Sequence, residues 1–217
     1  MGSLSKKLLL SRIKPCVYRK IDVNKLRANP VKSKDDWLET HFTSLKRYLR
    51  YELYETQKRR CAYCRRILNP LGINEHIDHI IARKLYINWM FKPRNLVLTC
   101  YQCNTQKSVA PTLKKDHRRL PRRARHYKLF NPFVHSWTHH FELLDDLFLS
   151  GKSKIGENTI KALKLFDYKY SLRYAEESNT FGKSAIVRAA QRMAVYDKKS
   201  IEFKSAKKLI KEIERHI

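Results

Sequence analysis

The sequence predicts an α+β protein, mostly helical, with a short strand–loop–strand–helix core flanked by an N-terminal helix and a C-terminal helical region. Three observations predict it. Four of the five cysteines form two Cys-x2-Cys pairs, Cys61/Cys64 and Cys100/Cys103. Between the pairs lie two short apolar runs rich in β-branched residues, which favours strands. Outside them, apolar residues recur at helical spacings of three and four.

Composition bounds the function classes. A chain of 217 residues with 42% hydrophobic content can bury a core, as one domain or two small ones. The formal net charge is +27. A charge of that size gathers polyanions, of which nucleic acid is the commonest. A basic membrane-surface protein and a ribosome-associated protein are the plainer alternatives. No apolar run approaches the roughly 20 residues of a membrane span, and Leu8–Leu10 is too short for a secretory core. A soluble, cytoplasmic protein with no membrane partner is the expectation.

In chain order, residues 1–32 read as a basic arm or extended segment punctuated by Pro15 and Pro30. Ser33 with Asp35 and Asp36 reads as a helix start, since a short acceptor and early acids suit the free N–H groups there. Leu38, Phe42, Leu45, Leu49 and Leu53 form its apolar stripe, and Arg59 and Arg60 mark its end. From Cys61 a knuckle turn carries Arg65 and Arg66, and Asn69-Pro70-Leu71-Gly72 reads as a further turn. Residues 73–81 suit a strand, 83–94 a longer connection, 95–99 a second strand, and a helix begins near Cys103. Lys114–Lys128 holds eight Lys or Arg against one Asp, either a solvated face or a phosphate contact. From Ser136 onward only helices are expected: 136–149, one starting near Asn158, 168–177, 183–198, and a last from 201. That last helix carries the stripe Phe203, Ala206, Ile210, Ile213 and Ile217. The expected organisation is 1–60 arm and helix, 61–112 core, and 113–217 basic segment and helical region.

Cys61, Cys64, Cys100 and Cys103 suit structural Zn2+. Four thiolates meet its tetrahedral, sulfur-favouring demand, and a closed sulfur shell leaves no open position for catalysis. Cys16 reads as a buried apolar filler. Asp78, His79, Asn95 and Asn104 are the polar set of interest. Adjacent strand residues point to opposite faces, so Asp78 and His79 serve one site only if the strand ends or twists there. A lone histidine is more often structural. The neighbouring carboxylate, and an Asn placed directly after a zinc cysteine, raise this one above that reading. His76 reads as a strand residue supporting the site, His139 and His140 as surface or packing, and Trp37, Trp89 and Trp137 as core anchors.

With D-H-I at 78–80, N-L at 95–96 and C-x2-C-N-x2-K at 100–107, the segment resembles HNH endonucleases of the ββα-metal type. The resemblance implies a ββα-metal core with His79 as general base and Asp78 and Asn104 as ligands of a catalytic Mg2+ or Mn2+. It implies that Asn95 braces the loop within the catalytic set. Ala82 stands where the family often has Pro, and L-Y-I-N-W-M-F-K-P replaces its usual Gly-rich turn. More distantly, R-I-K-P, the spacing before C-A-Y-C, and F-N-P-F followed by helices are similar to the HNH subunits of Septu-type antiviral systems, which work with an ABC-type ATPase.

The expected activity is therefore metal-dependent hydrolysis of nucleic-acid phosphodiesters, with DNA favoured over RNA. Water needs its proton removed, which a neutral His does near neutral pH, and the transition-state charge needs a Lewis acid. Lys107, Lys114, Lys115, Arg118, Arg119, Arg122, Arg123 and Arg125 are the candidates for flanking phosphates. The alternative from another class is a non-catalytic zinc-knuckle nucleic-acid binder, and a third is a regulatory subunit silent until a partner releases it. The final helices are candidates for contact with substrate, with a second copy in a homo-oligomer, or with an ATPase.

Overall fold

The computed structural model describes residues 12–69, 75–144, 148–177, 188–189, 191 and 198–215. The chain is α+β and forms two compact units that part between Ser136 and Trp137.

In the N-terminal unit the segment expected to be an arm contains a helix, α1 (Lys20–Ala28). Asp22 in its first turn is buried and pairs with Arg19 at 2.7 Å, whose guanidinium lies over the Tyr48 ring. The charged faces of α1 hid it from an apolar-periodicity reading.

Ser33 caps as expected, in a capping box with Asp36, but what it opens is a 3-10 turn, Lys34–Leu38. A second such turn, Thr40–Phe42, precedes α2 (Thr43–Thr56). The break has a packing cause. Trp37 and Phe42 both face the core, yet five residues of one α-helix place them about 140° apart. Leu38 is consequently exposed at 65%, while Phe42, Leu45, Leu49 and Leu53 are buried. After α2 the chain turns through Lys58 and Arg59, both with positive φ, and enters the knuckle.

Strands β1 (Glu75–His79) and β2 (Leu96–Cys100) pair antiparallel, with Asp78 opposite Val97 and His79 opposite Leu96. Helix α3 (Tyr101–Lys107) follows directly. The outer side of β2 is closed by Gln57, whose side-chain amide accepts from Leu98 N at 2.7 Å and donates to Leu98 O at 2.7 Å. Of the expected Asn69–Gly72 turn, positions 70–72 lie outside the described residues.

The C-terminal unit corrects the helices-only expectation. The helix expected over 136–149 is a single turn, α4 (Trp137–His140), followed by a hairpin of β3 (Phe141–Leu144) and β4 (Phe148–Gly151). The His140 carbonyl accepts from Lys152 N at 2.9 Å in place of a next helical turn, and the backbone there is closely approached. A Cβ on Gly156 would lie 1.9 Å from the His140 carbonyl oxygen. Helix α5 (Lys154–Leu163) thus sits directly on the end of α4 and the start of the hairpin. Its start is capped by Ser153, which also bonds His140 Nδ1 at 2.6 Å. Helices α6 (Tyr168–Glu177) and α7 (Ile201–Glu214) occur where expected. On α7, Ala206, Leu209 and Ile213 are the fully buried positions, and Ala189 joins the same core. Most of the expected 183–198 helix, and Ile217, lie outside the described residues.

Candidate active site

The four knuckle cysteines are buried, and their sulfur atoms all lie within 4.8 Å of one another. Cys64 Sγ and Cys100 Sγ are 3.9 Å apart. Tetrahedral zinc with Zn–S bonds of about 2.3 Å requires sulfur atoms about 3.8 Å apart, so the donor set fits structural zinc. Such a centre carries two net negative charges, and Arg65 and Arg66 are buried beside it. Burial pulls the Arg65 guanidinium down to about 10, against the opposing pull of Cys61 and Cys64. The cluster joins the knuckle to the end of β2 and the start of α3. It therefore sets where Asn104 and Lys107 stand relative to β1. Cys16 is buried apart from it, its thiol pushed up to about 11, chiefly by desolvation.

Strand β1 ends at His79, so Asp78 and His79 both reach one cleft. Asp78 is buried, and both of its oxygens have partners. Lys107 Nζ donates to Oδ1 at 3.1 Å and lies 3.0 Å from Oδ2, and Tyr63 OH donates to Oδ2 at 2.9 Å. Desolvation pushes the carboxyl upward, opposed by Lys107 and Tyr63. Lys107, expected on flanking phosphates, is instead 2% exposed and also donates to the His79 carbonyl at 2.7 Å.

His79 Nε2 lies 3.1 Å from the Met90 carbonyl oxygen. A carbonyl only accepts, so Nε2 carries the proton and Nδ1 is left as the basic nitrogen. Trp37 packs edge-on against the imidazole, with ring centroids 4.6 Å apart. Desolvation, and then the charges of Arg83 and Lys107, push the imidazole down to about 3. The ring is neutral and oriented.

Asn95 is wholly buried, and its amide is committed to backbone. Oδ1 accepts from Ile81 N at 2.8 Å, while Nδ2 donates to Ile81 O at 3.0 Å and Trp89 O at 3.1 Å. It ties the 81–89 connection to the start of β2 and so holds the Met90 carbonyl near His79. Asn104, half-buried on α3, lines the same cleft of about 620 Å³ as Asp78 and His79. Exposed Leu38 and the cations Lys34, Arg83 and Lys84 form part of its lining.

With this geometry in place, residues 61–109 match the family model described as HNH endonuclease. This segment is an HNH domain. A stretch of 120 residues is also 26% identical to the Septu protein PtuB of Bacillus thuringiensis, covering 55% of this chain and 42% of that protein. The chain thus spans less than half the length of the curated relative it matches. Among the described residues no helix is long and apolar enough to cross a membrane.

Several contributors to the HNH domain carry no motif signal. Gln57, Tyr63 and Met90 act through one side-chain amide, one hydroxyl and one carbonyl. Trp37 approaches His79 from outside the matched residues. The basic run beyond the HNH domain has little regular structure, a 3-10 turn at Ala124–His126. Its cations do not line one cavity. Lys114 and Lys115 line a cavity with Leu85 and Tyr86, and Arg118, Arg119 and Arg122 line a separate groove. Arg123 and Arg125 are exposed and line neither.

Proposed function

We propose that this chain is an endonuclease that hydrolyses phosphodiester bonds of nucleic acid, DNA in preference to RNA, with His79 as the general base. The observation that carries the reading is the bond from His79 Nε2 to the Met90 carbonyl, which turns Nδ1 into a proton acceptor in a cleft shared with Asp78 and Asn104. Nδ1 takes the proton from an attacking water as its oxygen adds to phosphorus, the P–O bond to one sugar oxygen breaks, and the departing oxygen takes a proton from solvent water. A phosphate entering the cleft offsets the Arg83 and Lys107 charges, which strengthens the base as substrate binds.

The carboxylate of Asp78 and the amide oxygen of Asn104 are hard donors of the kind that suits Mg2+ or Mn2+. Bound there, the ion supplies Lewis-acid stabilisation of the charge gained at phosphorus. The Lys107 ammonium, in contact with both Asp78 oxygens, competes with such an ion for the carboxylate. Likeness to a Septu protein supports a role as the nuclease of an antiviral defence complex, with an ATPase as the partner in that reading. The pairing of that carboxylate with Lys107 also favours a second reading, a zinc-braced module that binds nucleic acid without cutting it. Incubation with plasmid and with RNA, each with Mg2+, Mn2+ or EDTA, separates them: metal-dependent cleavage supports the first, and binding without cleavage in every arm supports the second.

A further inference from the structure

A second groove, of about 1070 Å³, lies on the N-terminal unit and is assembled from three segments distant in sequence. Lys92 and Arg94 reach it from the connection between β1 and β2, and Arg118, Arg119 and Arg122 from the basic run. All five are exposed. No carboxylate lines the groove, and none of the five is in an ion pair among the described residues. Between the cations the lining is apolar, with Val17 78% exposed alongside Tyr18 and Leu120.

The groove and the catalytic cleft share no lining residue, but one connection serves both. Trp89 lines the groove, while the adjacent Met90 carbonyl receives His79 and the Trp89 carbonyl receives Asn95. Tyr18, on the groove side, donates to the Phe91 carbonyl at 2.7 Å. One short connection thus presents cations on one side and orients the proposed base on the other.

We infer that this groove binds the sugar-phosphate backbone of nucleic acid flanking the cleavage site. The inference rests on the nuclease reading and adds the surface that holds the substrate. Guanidinium groups grip phosphate oxygens through paired N–H donors. An apolar floor between cations suits sugars and base edges, which a purely ionic patch would leave uncovered. An acidic protein would match the charge, but continuity with the connection that orients His79 favours the substrate of that residue.

The test measures anisotropy of labelled duplex DNA and of single-stranded RNA of equal length against a salt series, in the non-cutting H79A background. Three exposed arginines are removed in R118A/R119A/R122A, two further cations in K92A/R94A, and three exposed cations outside the groove in the control R27A/R47A/K58A. Each variant is first checked for unchanged circular dichroism and zinc content. The triple groove variant is expected to bind at least one arm about 10-fold more weakly or worse near 100 mM salt. Its salt slope should fall by about 2 to 3, since each duplex phosphate contact contributes about 0.9. The control should change affinity by less than about 3-fold. Equal losses in groove and control variants would overturn the inference, as would unchanged affinity of both groove variants, the outcome expected of an acidic-protein site. If H79A itself still cuts, the catalytic assignment falls while the binding comparison stands.

Discussion

The Lys107 ammonium lies 3.0 and 3.1 Å from the two carboxylate oxygens of Asp78, and both side chains are almost wholly buried. One residue thus neutralises the only carboxylate of the proposed catalytic set. Removing one member of such a pair strands the other charge. Lys107→Met is expected to lower stability by about 3–5 kcal/mol, measured by urea unfolding at neutral pH, with Asp78→Asn in the same chain recovering part of the loss.

The same contact sets up a competition. If a divalent ion uses the Asp78 carboxylate, Lys107→Gln should tighten Mn2+ binding at least about tenfold by removing a charge from contact distance. Mn2+ electron paramagnetic resonance on the folded variant reads this directly. Unchanged affinity would mean that the ion does not meet Asp78.

Burial and the nearby cations hold His79 near 3, well below an ordinary histidine. The folded chain refuses a proton that the unfolded chain accepts. Stability contributed by neutral His79 is therefore complete above about 6.5 and is lost as pH falls towards about 3. Acid titration of the unfolding midpoint should show a loss in this window that His79→Gln reduces. The acid limb of kcat/KM should lie below the ordinary histidine range.

The knuckle joins α2, the end of β2 and the start of α3 through four sulfur atoms within 4.8 Å of one another. A strong chelator, or Cys61→Ser, is expected to release one zinc per chain and unfold the HNH domain together with any activity. Zinc release with an unaltered amide spectrum would contradict a structural role.

Asn95 makes three hydrogen bonds to buried backbone at Ile81 and Trp89. Asn95→Ala should cost about 2–4 kcal/mol, near 1 for each bond plus the stranded groups. Through the Met90 carbonyl it should lower kcat more than it raises KM. A change in KM alone would place Asn95 in substrate binding instead.

Much of this was legible in the sequence because the motif residues are short-range. The cysteine spacing, the two strands and the helix after Cys100 each follow from neighbours within a few positions. What was not legible depends on distant backbone. Lys107 reads as a surface cation until β1 is seen to deliver Asp78 beneath it. Gln57 and Met90 serve through groups whose partners lie 41 and 11 residues away. The apolar residues of β3 and β4 fit either period, and the approach of Gly156 to the His140 carbonyl depends on backbone distant in sequence. Leu38 fits a helical stripe, and only the burial of Trp37 against His79 shows that the helix breaks there.

The most direct test is cleavage of labelled DNA with Mg2+ or Mn2+ by the wild type and by His79→Ala, each verified for zinc content and nucleic-acid affinity. Loss of about 100-fold or more in rate is expected for the variant, with zinc and affinity preserved. Cutting at the wild-type rate by a zinc-loaded His79→Ala protein would contradict the account.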